Sequence, residues 1–193
     1  MRSDDDQRFR DALVLGTLLA PAGAAACGTA IRWWGWAPDG VPSQTPAVAT
    51  AGSACLDAAP IVFISPKRKQ AMHPELFGVR FELVFVKPER MFGAELLGEP
   101  GLRIRVTGPE RTVVDMFDRS ALSGGIPLVA AALQQAWPAL DAERLTGCLE
   151  RFAGGTVPRR LGYLVERGSQ ACGPFVRRWR LRVNVAELAD SSR

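Results

Sequence analysis

The apolar residues change from strand-like to helical spacing near Thr107, and that change limits the fold more than any other feature. Phe81, Leu83 and Phe85 alternate with Arg80, Glu82 and Val84, and Leu102, Ile104 and Val106 alternate with Arg103 and Arg105. Period-two spacing with one wet side predicts half-buried strands. Ile61 to Ser65, a short apolar run, predicts a third strand. From Thr107 onward the spacing becomes helical. Leu145, Cys148, Leu149 and Phe152 stand at i, i+3, i+4 and i+7. Strands followed by helices in a chain of 193 residues predict one α/β domain of the α+β kind. The expected architecture is a mixed, mainly antiparallel sheet packed with several short helices.

The expected organisation covers residues 1–193 as one unit: helices at 10–36, a loop at 37–59, strands at 60–108, helices at 109–168 and a terminal strand at 174–186. The first helix is placed at 7–20, before Pro21, and a second at 24–36, ending at Trp33, Trp34 and Trp36. Two helices joined by small residues invite a helix-turn-helix reading. The second one carries Ala, Thr29 and a lone Arg32 before its tryptophans, so packing explains it better than groove recognition. Pro38, Gly40, Pro42, Pro46 and Gly52 mark the loop. Thr107 and Glu110 fit a capping box for the next helix. Further helices follow at 126–137, after Asp141, and after Thr156, the last with Gly168 as its stop.

Charge is unevenly spread. Residues 1–60 hold four Arg and six Asp, a net of −2, and residues 61–193 carry a net of +6. Arg159 to Arg182 contains seven Arg and one Glu. In the terminal strand, Phe175, Trp179, Leu181, Val183 and Val185 share one face with Arg177. Arg178, Arg180 and Arg182 share the other, with stems about 7 Å apart. Such a row meets solvent, carboxylates (Glu82 is one candidate) or phosphates. Lys67, Arg68 and Lys69 form a second basic cluster after Pro66. A phosphate-contacting tip and a solvated turn are both open readings of it.

Several chemistries lack their signatures. The sequence contains no GxxxxGK[ST], no Gly-rich dinucleotide turn, no HExxH and no GxSxG. Its single histidine, His73, precedes Pro74 and reads as a surface or turn residue. Asp115 and Asp118 have basic neighbours and read as ion-paired helix surface. Cys27, Cys55, Cys148 and Cys172 show no CxxC spacing, so zinc is set aside and a reducing cytoplasm is expected. Ala12 to Cys27 is apolar like a secretory leader, but an acidic segment precedes it and Pro21 interrupts it. It is too short to span a bilayer as a helix.

Two motifs stand in a definite order. PERTVVDMFDR begins at Pro109 and is followed by a Gly-Gly pair. TVPRRLGYLVERG then runs from Thr156 to Gly168, and the terminal strand ends RWRLRVNV. Together they resemble the C-terminal domain of abortive-infection antitoxins of the AbiEi type, transcriptional regulators of type IV toxin–antitoxin systems in phage defence. The matching residues are Glu110, Arg111, Thr112, Asp115, Arg160, Leu161, Gly162, Tyr163, Leu164 and Glu166. VFISPKRK resembles the family's earlier strand and basic turn, and the similarity runs from about residue 10 onward.

The resemblance implies a cytoplasmic, non-enzymatic protein without cofactor or metal that counteracts a nucleotidyltransferase-like toxin, with direct contact not assured. It implies no membrane partner, and DNA as a further partner. Relatives commonly carry an N-terminal winged helix, whereas the antitoxin-like helix here starts within the first dozen residues. The motif residues read as architectural: Arg111 and Asp115, at i and i+4, can pair, and Asp115 with Arg119 can extend the pair. The motif helices are expected to pack together, with Arg111 or Arg160 bonding Glu166 or a chain end. A partner contact for Arg159 and Arg160 stays open. Two alternatives stand beside this reading. One is a nucleic-acid-binding regulator using Arg178, Arg180, Arg182 and the Lys67–Lys69 turn. The other is a metal-dependent nuclease built from convergent carboxylates.

Overall fold

The computed structural model describes residues 2–37, 59–68, 73–98, 103–152 and 155–168. Their helices are α1 (Arg2–Leu19), α2 (Cys27–Trp33), α3 (Pro109–Asp118), α4 (Gly125–Ala136), α5 (Ala142–Phe152) and α6 (Thr156–Gly168). Their strands are β1 (Ala24–Ala25), β2 (Ile61–Ser65), β3 (Glu75–Leu76), β4 (Val79–Phe85), β5 (Ala94–Leu97) and β6 (Ile104–Thr107). They form one sheet in the order β3-β4-β2-β1-β6-β5. β2 runs parallel to β4 and β1 parallel to β6, while β1–β2, β3–β4 and β5–β6 are antiparallel. The expected mixed, mainly antiparallel sheet with short helices is what forms.

All five residues of β2 are buried, because both faces of this strand are covered. On one face Ile61 and Phe63 join Phe81, Leu83 and Val106 against Phe9, Ala12 and Leu13 of α1. On the other, Val62 and Ile64 pack with Val84, Val86, Ala24, Ala26 and Cys27. Gly16 lets α1 lie directly on the sheet, since a Cβ there would collide with the Phe63 ring. A separate core joins Val113, Val114 and Phe117 of α3 to Val129, Ala132 and Leu133 of α4. Leu145 and Phe152 of α5 and Val157 and Leu161 of α6 complete it.

The structure departs from the sequence reading at identifiable places. Residues 24–36 are not one helix. Ala24 and Ala25 form a central strand, opposite Ile64 and Phe63, and α2 starts only at Cys27. Alanine favours helices, but two small residues fit a strand buried on both faces, and tertiary context outweighs the propensity. Cys27 turns the chain from strand to helix with φ +54. α1 and α2 are therefore separated by a sheet strand, and Trp34 and Trp36 of the expected helix end stack at 6.1 Å. The leader-like run of residues 12–27 supplies core residues, including Leu13, Ala20 and Ala26.

The capping box also fails to form. α3 starts at Pro109 with Gly108 as its N-cap and no side-chain cap bond. Thr107 belongs to β6, and its hydroxyl lies 2.8 Å from that of Thr112. Asp141 does cap α5, accepting from the Arg144 N–H at 2.8 Å. α1 extends to Arg2, five residues before its expected start, and the short strands β3 and β5 fall within the expected strand region without a period-two pattern to mark them. Most of the expected loop, and all of the expected terminal strand with Arg178, Arg180 and Arg182, lie outside the described residues.

Candidate functional site

β6 delivers the chain through Thr107 and Gly108 into α3, and the first motif occupies that junction. Its polar side chains point inward. Arg111 and Asp115 sit one helical turn apart, and the Arg111 Nε is 3.0 Å from both Asp115 oxygens. Nη2 adds a contact of 2.9 Å to Oδ1. Nη1 donates to the Arg90 carbonyl at 2.8 Å. The guanidinium lies 4.4 Å from the Phe92 ring centroid and 5.0 Å from that of Phe152. Burial pushes the Asp115 carboxyl above the usual carboxylate range, against the pull of Arg111 beside it. Asp115 is thus a core residue, which corrects its reading as helix surface. Arg119 does not extend the pair; it approaches Asp118 at 3.6 Å.

The neighbouring motif residues form bonds between elements. The Thr112 hydroxyl donates to the Thr107 carbonyl at 2.9 Å, tying α3 to β6. Glu110 accepts the Asp141 N–H at 3.0 Å and fixes the start of α5. Trp34 donates its indole N–H to the same Thr107 carbonyl at 2.9 Å. In α6, Arg160 donates to the Phe117 carbonyl in the last turn of α3, at 2.9 Å. Tyr163 is buried, and Gly162 is half-buried beside it. The two motif helices therefore pack together as expected: Arg111 pairs with Asp115, as their i, i+4 spacing indicates, and Arg160 bonds the Phe117 carbonyl. The side chain of Glu166 lies outside the described residues.

Of the basic candidates, Lys67, Arg68 and Arg159 are among the described residues. Lys67 and Arg68 are exposed just beyond β2, where the Ser65 hydroxyl accepts the Lys67 N–H at 3.2 Å. Arg68 lies 5.1 Å from the Phe85 ring centroid. Lys69 lies outside the described residues, and Arg159 is exposed on α6. His73 is exposed, as read, and its Nδ1 lies 2.6 Å from Glu82 Oε2, so Glu82 has a partner the sequence did not indicate.

A cleft of about 360 Å3 opens between the starts of β5 and α3 on one side and α5 on the other. Phe92, Glu95 and Gly108 line one side, and Arg144, Gly147 and Arg151 line the other. Arg151 lies 4.0 Å from the Phe92 ring centroid. Sequence reasoning missed Phe92, Phe152 and Arg151, since no spacing links residues contributed by an irregular segment and a distant helix. The helical period had marked Phe152 as apolar, and only the fold shows that its ring meets two guanidinium groups.

No family model matches this chain, and no curated protein matches it. Among the described residues no helix is long and apolar enough to cross a membrane.

Proposed function

We propose that this chain is a non-enzymatic antitoxin of the abortive-infection AbiEi type, acting against a nucleotidyltransferase-like toxin and lying in the cytoplasm. The observation that carries the reading is the use of the motif side chains. Arg111, Asp115, Thr112, Glu110 and Arg160 are engaged in bonds that join β6, α3, α5 and α6. A catalytic group has to meet a substrate atom, and these groups are directed at the protein's own backbone and at each other. Residues so engaged explain why the two motifs occur in one order: they hold a scaffold whose outer surface does the work.

Co-expression tests this. With a nucleotidyltransferase-like toxin as the co-expressed partner, this chain should restore growth when both are induced. Growth left unrelieved at equal expression contradicts the reading.

A transcription-regulating role is the second reading, favoured by the exposed Lys67 and Arg68 beyond β2. It requires DNA affinity that falls steeply with salt and that drops for all sequences alike in a Lys67→Ser, Arg68→Ser variant. Unchanged binding would remove this turn from consideration.

A further inference from the structure

We propose that the cleft between the starts of β5 and α3 and the facing side of α5 binds a nucleoside phosphate. It is separate from the antitoxin reading and has its own readout. Its volume of about 360 Å3 falls within the range of small-molecule sites. Three features of its lining select the ligand.

The first is a cationic wall. Arg144 and Arg151 are exposed on α5, seven residues apart, and among the described residues neither forms an ion pair with a carboxylate. A guanidinium presents paired N–H donors that match phosphate oxygens, and Arg144 is open to such a contact.

The second is a stacking surface. The guanidinium of Arg151 lies 4.0 Å over the Phe92 ring centroid, and the residue is exposed. Guanidinium planes stack on aromatic rings, and a nucleobase supplies one. Across the cleft, Glu95 carries a carboxylate that leans against Gly108. It accepts N–H donors, which every nucleobase offers and inorganic phosphate does not.

The third is Gly147. Glycine in the interior of a helix is destabilising relative to alanine. No atom lies within 4 Å of a Cβ added at Gly147, so packing of the fold does not require a glycine there. Its effect is to keep the cleft open between Arg144 and Arg151. Space, two cations, a stacking plane and an opposing carboxylate together fit an anion joined to a nitrogenous ring.

Calorimetric titration of the full chain tests this, using AMP, GMP, CMP and UMP, with inorganic phosphate and the unphosphorylated nucleosides as separate arms. At least one nucleotide should bind saturably, about tenfold or more tighter than phosphate or the nucleoside alone. Arg144→Gln should weaken it about tenfold or more. Gly147→Leu should abolish binding while leaving the thermal midpoint unchanged or higher. Glu95→Ala should weaken the nucleotide and leave phosphate unaffected. Absence of saturable binding by all four nucleotides overturns the proposal. So does binding that survives both Arg144→Gln and Gly147→Leu in folded protein. Equal affinity for phosphate and nucleotides overturns the assignment of Arg151 and Glu95 to the base.

Discussion

The guanidinium of Arg111 and the carboxylate of Asp115 pair inside the protein, with side chains only 1% and 4% exposed. Removing two charges from water is costly, and their attraction repays this only when the remaining donors are also satisfied. Here the Arg90 carbonyl accepts one of them, and the Phe92 and Phe152 rings lie beside the cation. The pair thus fixes α3 against the segment carrying Arg90 and against the end of α5. Such pairs favour one arrangement over its alternatives more than they add net stability.

Gly16 sets how closely α1 approaches the sheet. Gly16→Ala gains helix propensity of about 1 kcal/mol but drives a methyl group into the Phe63 ring. Overpacking of this kind costs about 1–3 kcal/mol, so the variant should be less stable in urea titration. A second change, Phe63→Leu, should recover part of the loss. A Gly16→Ala protein more stable than the parent would show that α1 stands further from β2.

Arg160 links the motif helices through the Phe117 carbonyl. A cation at a helix C-terminus, bonded to one of its last carbonyls, contributes about 1–2 kcal/mol. Arg160→Ala should lower unfolding stability by that amount, and Arg160→Lys by less. Arg159→Ala, one position away and exposed, should change stability by less than about 0.5 kcal/mol. Equal effects of the two alanine substitutions would separate α6 from α3.

Cys27 gives the protein an alkaline liability. Burial pushes its thiol well above the ordinary value of 9.0, and the nearby Asp115 adds to the rise. The unfolded chain therefore loses this proton first. The resulting contribution is fully present below about pH 9 and is lost as pH rises towards the folded value. Between about pH 8 and about pH 10 the parent should lose roughly 1 kcal/mol relative to Cys27→Ala. Urea titrations of both proteins at the two pH values measure this. Parallel pH profiles would mean that Cys27 ionises as readily in the fold as outside it.

How much of this was legible beforehand depends on the range of the interaction. Leu145, Cys148, Leu149 and Phe152 declared α5 because helical packing repeats along the chain. Phe81, Leu83 and Phe85 declared β4 in the same way. Ala24 and Ala25 have no side-chain pattern to show, and only their neighbours Ile64, Phe63 and Val106 make them a strand. Thr107 and Glu110 had the right spacing for a local cap. Each instead found a partner in Thr112 and Asp141, and the Glu110 contact crosses 31 positions. The i, i+4 relation of Arg111 and Asp115 was visible, whereas the burial of the pair depends on Phe92 and Phe152 beside Arg111 and Cys27 beside Asp115. The cleft joins an irregular segment to a helix some 50 positions later, so no motif could announce it.

The claim beneath this account is that the motif polar groups act as internal ties. A double-mutant cycle on Arg111 and Asp115 tests it most directly, using Arg111→Met, Asp115→Leu and the pair together in urea titration. Each single change leaves a buried charge without its partner and should cost about 3–5 kcal/mol. The double variant should be no worse than either single one, giving a coupling of roughly 3 kcal/mol or more. Single variants as stable as the parent, with coupling near zero, would contradict the account.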